Sequence, residues 1–204
     1  MEKIWVNKAT SFADAEKFDE DYYFNLSSLE RLETVQFLRE SYYKIKKDLN
    51  NESKKDYEEL LRLLNKSKVK YCIVGSYAVA FYARPRYTKD MDIFVEPTAE
   101  NGKRILKALS EFGFQGLNLK EDDFSQKGMI VQLGYEPIRI DILTSIEGCS
   151  FEEVWEGRKK ATYGKEKVFI IGIEELIKNK KSSQRKQDMA DLEVLMRVKN
   201  RENK

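Results

Sequence analysis

The chain has 204 residues, 41% of them hydrophobic, and its 37 basic and 35 acidic side chains leave a net charge of only +2. Such a chain is long enough for one principal core, and its balanced charge excludes the strong overall basicity of a dedicated nucleic-acid-binding domain. It contains no histidine, which excludes Ser-His and Cys-His nucleophilic catalysis and imidazole acid-base chemistry. Carboxylates must therefore carry any acid-base chemistry.

Charge distribution and cysteine usage indicate where a polyanion would bind and in which compartment the protein functions. Residues 1–60 are net acidic and residues 178–204 are net basic, so a polyanion is expected to prefer the C-terminal end. Cys72 and Cys149 lack metal-ligand spacing, which argues against a zinc site and indicates reduced thiols. The first eight residues lack the apolar core of a signal peptide, and no stretch approaches the roughly 20 apolar residues of a membrane span. We therefore expect a cytoplasmic protein that does not bind a membrane.

The first third of the chain is predicted to be helical. Ser27 and Glu30 have the spacing of a capping box, and apolar residues then recur every three or four positions as far as Leu49. A second amphipathic helix is predicted from Ser53. The acidic and aromatic run from Asp14 to Phe24 is either a short helix or a docking segment. We assign residues 1–65 to an N-terminal helical segment, and a protein partner, if there is one, is expected to bind there.

From residue 66 the hydrophobic period changes, and an α/β core with a mixed sheet flanked by helices is predicted over residues 66–198. Residues 199–204 are expected to be a polar tail. The predicted strands and helices of this core follow in chain order: strand 69–74, helix 76–83, strand 89–95, helix 98–112 ended by Gly113, a hairpin of strands 129–133 and 138–143 around residues 134–137, strand 167–171, helix 173–181 and helix 187–198.

The strand at residues 89–95 carries two aspartates on one face. Successive side chains of a strand point to opposite faces, so Asp90 and Asp92 share a face with their Cα atoms about 7 Å apart. Carboxylates this close repel each other unless a cation lies between them, and a hard dication such as Mg²⁺ prefers oxygen ligands. An Asp-x-Asp pair alone is more often a pair of solvated surface carboxylates. The functional interpretation therefore depends on the surrounding motifs.

Gly75 and Ser76 directly follow an apolar strand and directly precede a helix. Glycine lets a phosphate approach the backbone, serine supplies a hydroxyl, and the helix start supplies unpaired N–H groups. The same pair is also typical of an ordinary turn and helix cap. Its position just before the acidic strand favours a triphosphate site.

Asp141 lies in an otherwise apolar strand, where an unpaired carboxylate is costly to bury. One explanation is an ion pair with Arg139, which lies on the same strand face. The other places Asp141 beside Asp90 and Asp92 as a third carboxylate that binds the metal and accepts a proton from an attacking hydroxyl. The three aspartates together predict metal-assisted phosphoryl chemistry.

These motifs resemble the nucleotidyltransferase superfamily that includes DNA polymerase β and the small bacterial minimal nucleotidyltransferases. The stretch 83–92 is more narrowly similar to the branch that contains abortive-infection-type nucleotidyltransferase toxins. Residues 175–180 and 185–192 resemble the closing pattern of that branch, which has a lysine, an arginine and two spaced aspartates on a helix. The resemblance spans roughly residues 66–198 and does not cover the N-terminal helices.

The resemblance implies a Mg²⁺- or Mn²⁺-dependent enzyme that moves a nucleoside monophosphate from an NTP, such as ATP, to a hydroxyl. Asp90, Asp92 and Asp141 would hold one or two metal ions, and Gly75 and Ser76 would bind the phosphates. Further supporting residues would be Lys180 and Arg185, which neutralise phosphate charge, and Asp188 and Asp191, which orient them. The acceptor stays open between RNA such as tRNA, a protein and a small molecule. A toxin-antitoxin role and a catalytically inactive binding or regulatory protein also stay open.

Overall fold

Six strands and nine helices form within the residues that the computed structural model describes, which are 21–45, 53–88, 90–115, 118–134, 139–183 and 185–202. The strands are β1 (Tyr71–Ile73), β2 (Asp90–Val95), β3 (Ile130–Leu133), β4 (Arg139–Leu143), β5 (Lys159–Tyr163) and β6 (Glu166–Ile170). The helices are α1 (residues 21–25), α2 (Ser28–Ile45), α3 (Ser53–Lys66), α4 (Gly75–Tyr82), α5 (Ala99–Phe112), α6 (Asp122–Ser125), α7 (Phe151–Gly157), α8 (Ile173–Ser183) and α9 (Lys186–Glu202).

The strands form one mixed sheet in the order β3-β4-β2-β1-β6-β5. Strand β2 pairs with β1 in antiparallel and with β4 in parallel orientation, and β1 pairs in parallel with β6. The predicted hairpin of β3 and β4 is an antiparallel pair, although its turn at residues 135–138 lies outside the described residues. The predicted fold class, a mixed sheet flanked by helices, is therefore confirmed.

One hydrophobic core runs through the sheet and the helices that cover it. Besides strand residues it contains Leu32 and Val35 from α2 and Tyr57 and Leu60 from α3, all of them buried. Helix α2 packs against α4, and α3 packs against α5. Apolar side chains from both sides of residue 65 are thus removed from water together, which is the main stabilising contribution to a fold.

Helix ends follow the local signals in the sequence. Glu30 N donates to Ser27 Oγ at 3.2 Å and Ser27 N donates to Glu30 Oε2 at 2.7 Å, so the predicted capping box forms before α2. Thr98 caps α5, since its side chain accepts a hydrogen bond from Asn101 N. Gly113 ends that helix in the left-handed conformation, with φ 110°.

Three elements and one helix end differ from the sequence expectations. Strand β5 is mostly exposed and contains two lysines, so it has no apolar run to mark it. Helix α6 is a single turn of four residues, too short for a hydrophobic period. Helix α7 begins with a capping box between Ser150 and Glu153, which is its local signal in the sequence. Helix α9 continues to Glu202, into the predicted tail, because no glycine or proline ends it.

Some expectations fall on residues outside the described part of the chain. The aromatic part of the run 14–24 is helical from residue 21, but residues 14–20 are not described. Leu49, Lys89 and the last two residues are not described either. None of the helices in the described ranges combines the length and apolar character that a membrane span requires.

Candidate active site

The pairing of β2 with β4 brings the three predicted carboxylates together. Asp92 lies directly opposite Asp141, and Asp90 lies directly opposite Arg139. Paired residues on neighbouring strands share a face of the sheet, and so do residues two apart on one strand. All four side chains therefore lie on the same face, where the two strands run side by side.

Arg139 bridges two of these carboxylates. Its Nε and Nη2 donate to Asp141 Oδ1 at 2.8 Å and Oδ2 at 2.7 Å, and Nη2 lies 3.0 Å from Asp90 Oδ2. The ion pair with Arg139, the alternative explanation for Asp141, is therefore present in addition to the carboxylate cluster. Gln132 Nε2 also donates to Asp141 at 3.1 Å, and Thr88 Oγ1 donates to Asp90 at 3.1 Å.

Asp92 differs from the other two carboxylates. Within the described part of the chain its side chain makes no hydrogen bond and no ion pair. Burial, and then the charges of Asp90 and Asp141, raise its pKa to about 7, although Lys180 and Arg139 act in the opposite direction. A poorly solvated carboxylate next to two others is stabilised by a cation.

The donors of this cluster are of the type that a divalent ion such as Mg²⁺ or Mn²⁺ prefers, but in the described residues no group of three or more acidic or thiol side chains is arranged to hold a metal ion. The guanidinium of Arg139 lies between Asp90 and Asp141 and supplies there the positive charge that a metal would supply. The oxygens of Asp92 have no such partner. All donors are carboxylate oxygens, which hard cations prefer.

Gly75 brings the start of α4 against Asp92. Its φ of +62° is a left-handed conformation, and a Cβ at this position would lie 1.9 Å from Asp92 Oδ2. Just before it, Val74 N donates to the backbone oxygen of Asp92 at 3.0 Å. The N-cap residue of α4, Val74, makes no side-chain cap hydrogen bond, so within the described residues the first N–H groups of the helix can bind a ligand. Ser76 is buried at this helix start and lines the cleft into which the three aspartates also face.

Lys180 and its partners form a buried ion-pair cluster beside the carboxylates. Lys180 Nζ pairs with Asp188, and it lies 3.0 Å from Asp191 Oδ2. Asp191 also accepts two 3.0 Å hydrogen bonds from Arg86, which precedes β2. Asp188 and Asp191 therefore hold Lys180 in place. Arg185, at the loop before α9, is exposed.

An open cleft of 720 Å³ connects these groups. It is lined by every residue that the sequence analysis singled out as catalytic, metal-binding or phosphate-binding, namely Gly75, Ser76, Asp90, Asp92, Asp141, Lys180 and Arg185. A cleft of this size accommodates a ligand as large as a nucleotide.

Sequence reasoning missed three polar groups of this cleft. Thr88 lies two residues before Asp90. Extending the alternation of the strand by two residues toward the N-terminus would therefore have placed Thr88 on the same face as Asp90 and Asp92. Gln132 lies opposite Asp141 in the β3–β4 pair, which the register of the predicted hairpin implies. Arg86 reaches Asp191 across 105 residues of sequence, and no local signal marks that contact.

The fold is that of an α/β protein whose cleft brings the three aspartates and the glycine turn of α4 together. Residues 53–204 match the family model "Nucleotidyl transferase of unknown function (DUF2204)", and the chain belongs to that family. The resemblance to the nucleotidyltransferase superfamily is thereby confirmed. The match begins at α3 and includes both the cleft and the C-terminal helices.

Two solved structures are similar to the chain. One is the lincosamide antibiotic adenylyltransferase LnuA bound to lincomycin, with 18% identity and a TM-score of 0.47 over 73% of this chain and 99% of that chain. The other is TM1012 of Thermotoga maritima, a protein assigned to the nucleotidyltransferases, with 16% identity and a TM-score of 0.44 over 72% of this chain and 90% of that chain. A comparison with curated proteins found no match.

Proposed function

We propose that the protein transfers a nucleoside monophosphate from an NTP to a hydroxyl acceptor and releases pyrophosphate, with Mg²⁺ or Mn²⁺ as cofactor. The observation that carries the proposal is the strand register that sets Asp92 opposite Asp141. It joins two carboxylates from distant parts of the chain, next to the glycine turn of α4. The family assignment supports nucleotidyl transfer as the class of reaction.

The residues of the cleft have distinct roles in this proposal. Asp90, Asp92 and Asp141 would hold the metal, which when bound neutralises charge on the phosphates and orients them. Gly75 and Ser76 lie where the backbone N–H groups of α4 can bind phosphate oxygens, and Lys180 and Arg185 line the same cleft with positive charge.

The transfer step is an in-line displacement at the α-phosphorus. The acceptor oxygen forms a bond to this phosphorus, the bond to the pyrophosphate oxygen breaks, and the pyrophosphate leaves. Asp141 is our candidate for accepting the hydroxyl proton, because it faces the cleft and Arg139 holds its carboxylate in a fixed orientation. Positioning and charge are the main contributions of the protein to such a reaction.

The proposal covers three classes of acceptor. RNA such as tRNA, a protein hydroxyl and a small molecule all carry the required group, and the cleft is open to solvent. The similarity of residues 83–92 to the abortive-infection-type branch makes a toxin of a toxin-antitoxin pair the biological context that we propose to test first.

A transfer assay with the Asp92→Asn variant tests the proposed activity. The wild type or a variant is incubated with Mg²⁺ and one α-³²P-labelled NTP. Total RNA, cell protein or a small-molecule extract is supplied as the acceptor, and the label transferred to that fraction is counted. We expect the substitution to reduce transfer at least roughly 100-fold, because the metal loses a charged ligand. Asp122→Asn makes the same chemical change at an exposed position on α6 and should leave transfer unchanged. Equal transfer by Asp92→Asn and the wild type would contradict the proposal.

A second candidate is a binding or regulatory protein that keeps the fold without catalysis. The specific observation in its favour is Arg139, whose guanidinium pairs with both Asp90 and Asp141 and so offsets part of their negative charge. Isothermal titration of the wild type with Mg²⁺ and each NTP separates the two candidates. Binding together with transfer supports the enzyme, whereas nucleotide binding without transfer to any of the three acceptor fractions supports the regulator.

A further inference from the structure

Arg39, on helix α2, is a buried cation that contacts two other helices of the core, α3 and α4. Only 1% of the residue is exposed, and it lies before residue 53, where the family match begins. Its Nη1 donates to the Tyr77 hydroxyl at 2.8 Å and its Nη2 donates to the Tyr57 hydroxyl at 2.8 Å. The two arms of one planar guanidinium therefore bind α4 and α3 at fixed relative positions.

Each arm leads to one half of the candidate active site. Tyr77 follows Ser76 directly in the first turn of α4, the turn proposed to bind phosphate. Tyr57 donates its own hydroxyl to the backbone oxygen of Arg139 at 2.9 Å. Arg139 is the first residue of β4, and its side chain bridges Asp90 and Asp141.

The phenols are suited to this role because they stay neutral. Burial raises the pKa of Tyr57 and of Tyr77, so each keeps its proton and can donate and accept at once. Gln36 completes the cluster, since its side-chain oxygen accepts from Tyr163 at 3.0 Å and from Arg39 at 3.4 Å. Hydrogen bonds within such a buried network strengthen one another.

We infer that Arg39 is a positioning residue that holds the phosphate-binding turn of α4 and the carboxylate strand β4 in register through Tyr77 and Tyr57. Helix α2 is then a working part of the active site, although it lies outside the part of the chain that matches the family. The effect of Arg39 on catalysis rests on the proposed function. Its positioning of α4 and β4 can be tested without measuring any nucleotidyl transfer.

The test compares Tyr57→Phe, which removes one hydroxyl, with Tyr82→Phe as the matched control. The Tyr82 hydroxyl also donates to a backbone oxygen, that of Ile171, at 2.8 Å in a buried position, away from the carboxylates. Tyr57→Phe loses two buried hydrogen bonds, the one accepted from Arg39 and the one donated to Arg139, whereas Tyr82→Phe loses the one donated to Ile171. We therefore expect Tyr57→Phe to have the lower melting temperature of the two, and the comparison depends on the local measurements. Two quantities are measured on the full chain. One is the rate of hydrogen-deuterium exchange in residues 139–143, and the other is the Mn²⁺ affinity, which is monitored by electron paramagnetic resonance.

Beyond the difference in melting temperature, the two variants are expected to differ locally at residues 139–143 and in Mn²⁺ binding. In Tyr57→Phe, residues 139–143 should exchange several-fold faster and Mn²⁺ should bind about tenfold more weakly, since outer-shell partners of metal ligands have effects of this size. Tyr82→Phe should match the wild type in both measurements. Tyr77→Phe should instead accelerate exchange in residues 75–82.

The outcomes separate this inference from the proposed function. Exchange over residues 139–143 that is the same in Tyr57→Phe and Tyr82→Phe overturns the positioning role, whether or not the wild type transfers a nucleotide. Faster exchange in Tyr57→Phe alone supports that role, and if the wild type then shows no transfer, only the proposed function fails. A wild type that does not bind Mn²⁺ leaves the decision to the exchange measurement.

Discussion

At the scale of single residues, Asp92 is the most unusual group of the protein. It is the carboxylate of the cluster that Arg139 does not reach by a hydrogen bond or ion pair, and Gly75 leaves just enough space for it. Burial and two neighbouring carboxylates raise its pKa to about 7. A metal-free protein therefore stores unfavourable charge at this position whenever Asp92 is ionised.

This pKa shift predicts how stability depends on pH. Because Asp92 has a higher pKa in the folded chain than the ordinary aspartate value of 3.8, the folded state binds an extra proton between these two pH values. The unfolding free energy should therefore fall as pH rises from about 4 to about 7, by at most about 4 kcal/mol. Urea unfolding of the wild type and of Asp92→Asn without metal measures the difference. Identical pH dependence in both proteins would show that folding does not raise the pKa of Asp92.

Gly75 yields a second prediction at this scale, with Gly113 as a matched control. Both have positive φ, 62° and 110°, but a Cβ at Gly113 would meet nothing within 4 Å. Alanine at either position should cost about 1–2 kcal/mol of backbone strain. Only Gly75→Ala also pushes the Asp92 carboxylate aside, so only this variant should lose Mn²⁺ affinity in the resonance assay. Equal Mn²⁺ affinity in the two variants would refute the close packing of Gly75 on Asp92.

At the scale of elements, buried ion pairs attach α9 to the cleft. Asp191 on α9 is 4% exposed and pairs with both Lys180 of α8 and Arg86 of the segment before β2. It thereby joins two helices and the loop that leads into the acidic strand. Removing its charge leaves Lys180, which is also buried, with less compensation.

We therefore expect Asp191→Asn to destabilise the protein by about 3 kcal/mol, as removal of one partner of a buried pair usually does. Glu193→Gln, on the same helix, breaks a pair with Arg197 whose side chains are 68% and 45% exposed. It should change stability by less than about 1 kcal/mol. Urea denaturation midpoints of the two variants give the comparison, and similar midpoints would mean that the cluster around Lys180 contributes little.

At the scale of the whole molecule, helix α2 is integrated into the core and into the polar network below the cleft. Leu32 and Val35 join the same hydrophobic cluster as the strands, and Arg39 reaches the active-site elements through two tyrosines. The helical character of this segment was predictable from its spacing of apolar residues. Its role was not, because an arginine within an amphipathic helix is normally expected on the solvent side.

Much of the fold was predictable because most elements carry local signals. The capping boxes, the glycine that ends α5 and the alternation in β2 depend on residues a few positions apart, as does the common face of Asp90 and Asp92. Strand β5 lacked such a signal because three of its five side chains are exposed and two of these are lysines. For Asp141, the sequence left two explanations open, and the structure contains both the cluster and the ion pair with Arg139.

The sequence by itself determined the types of most elements, the acidic face of β2 and the absence of histidine chemistry, because these properties depend on composition and on neighbours in the chain. Only the tertiary structure decided that β2 lies beside β4 with Asp92 opposite Asp141, that Arg139 bridges two carboxylates, and that Arg39 connects both halves of the cleft. Strand register and the burial of a charge are set when segments far apart in the chain pack together and exclude water, so no short stretch of sequence encodes them.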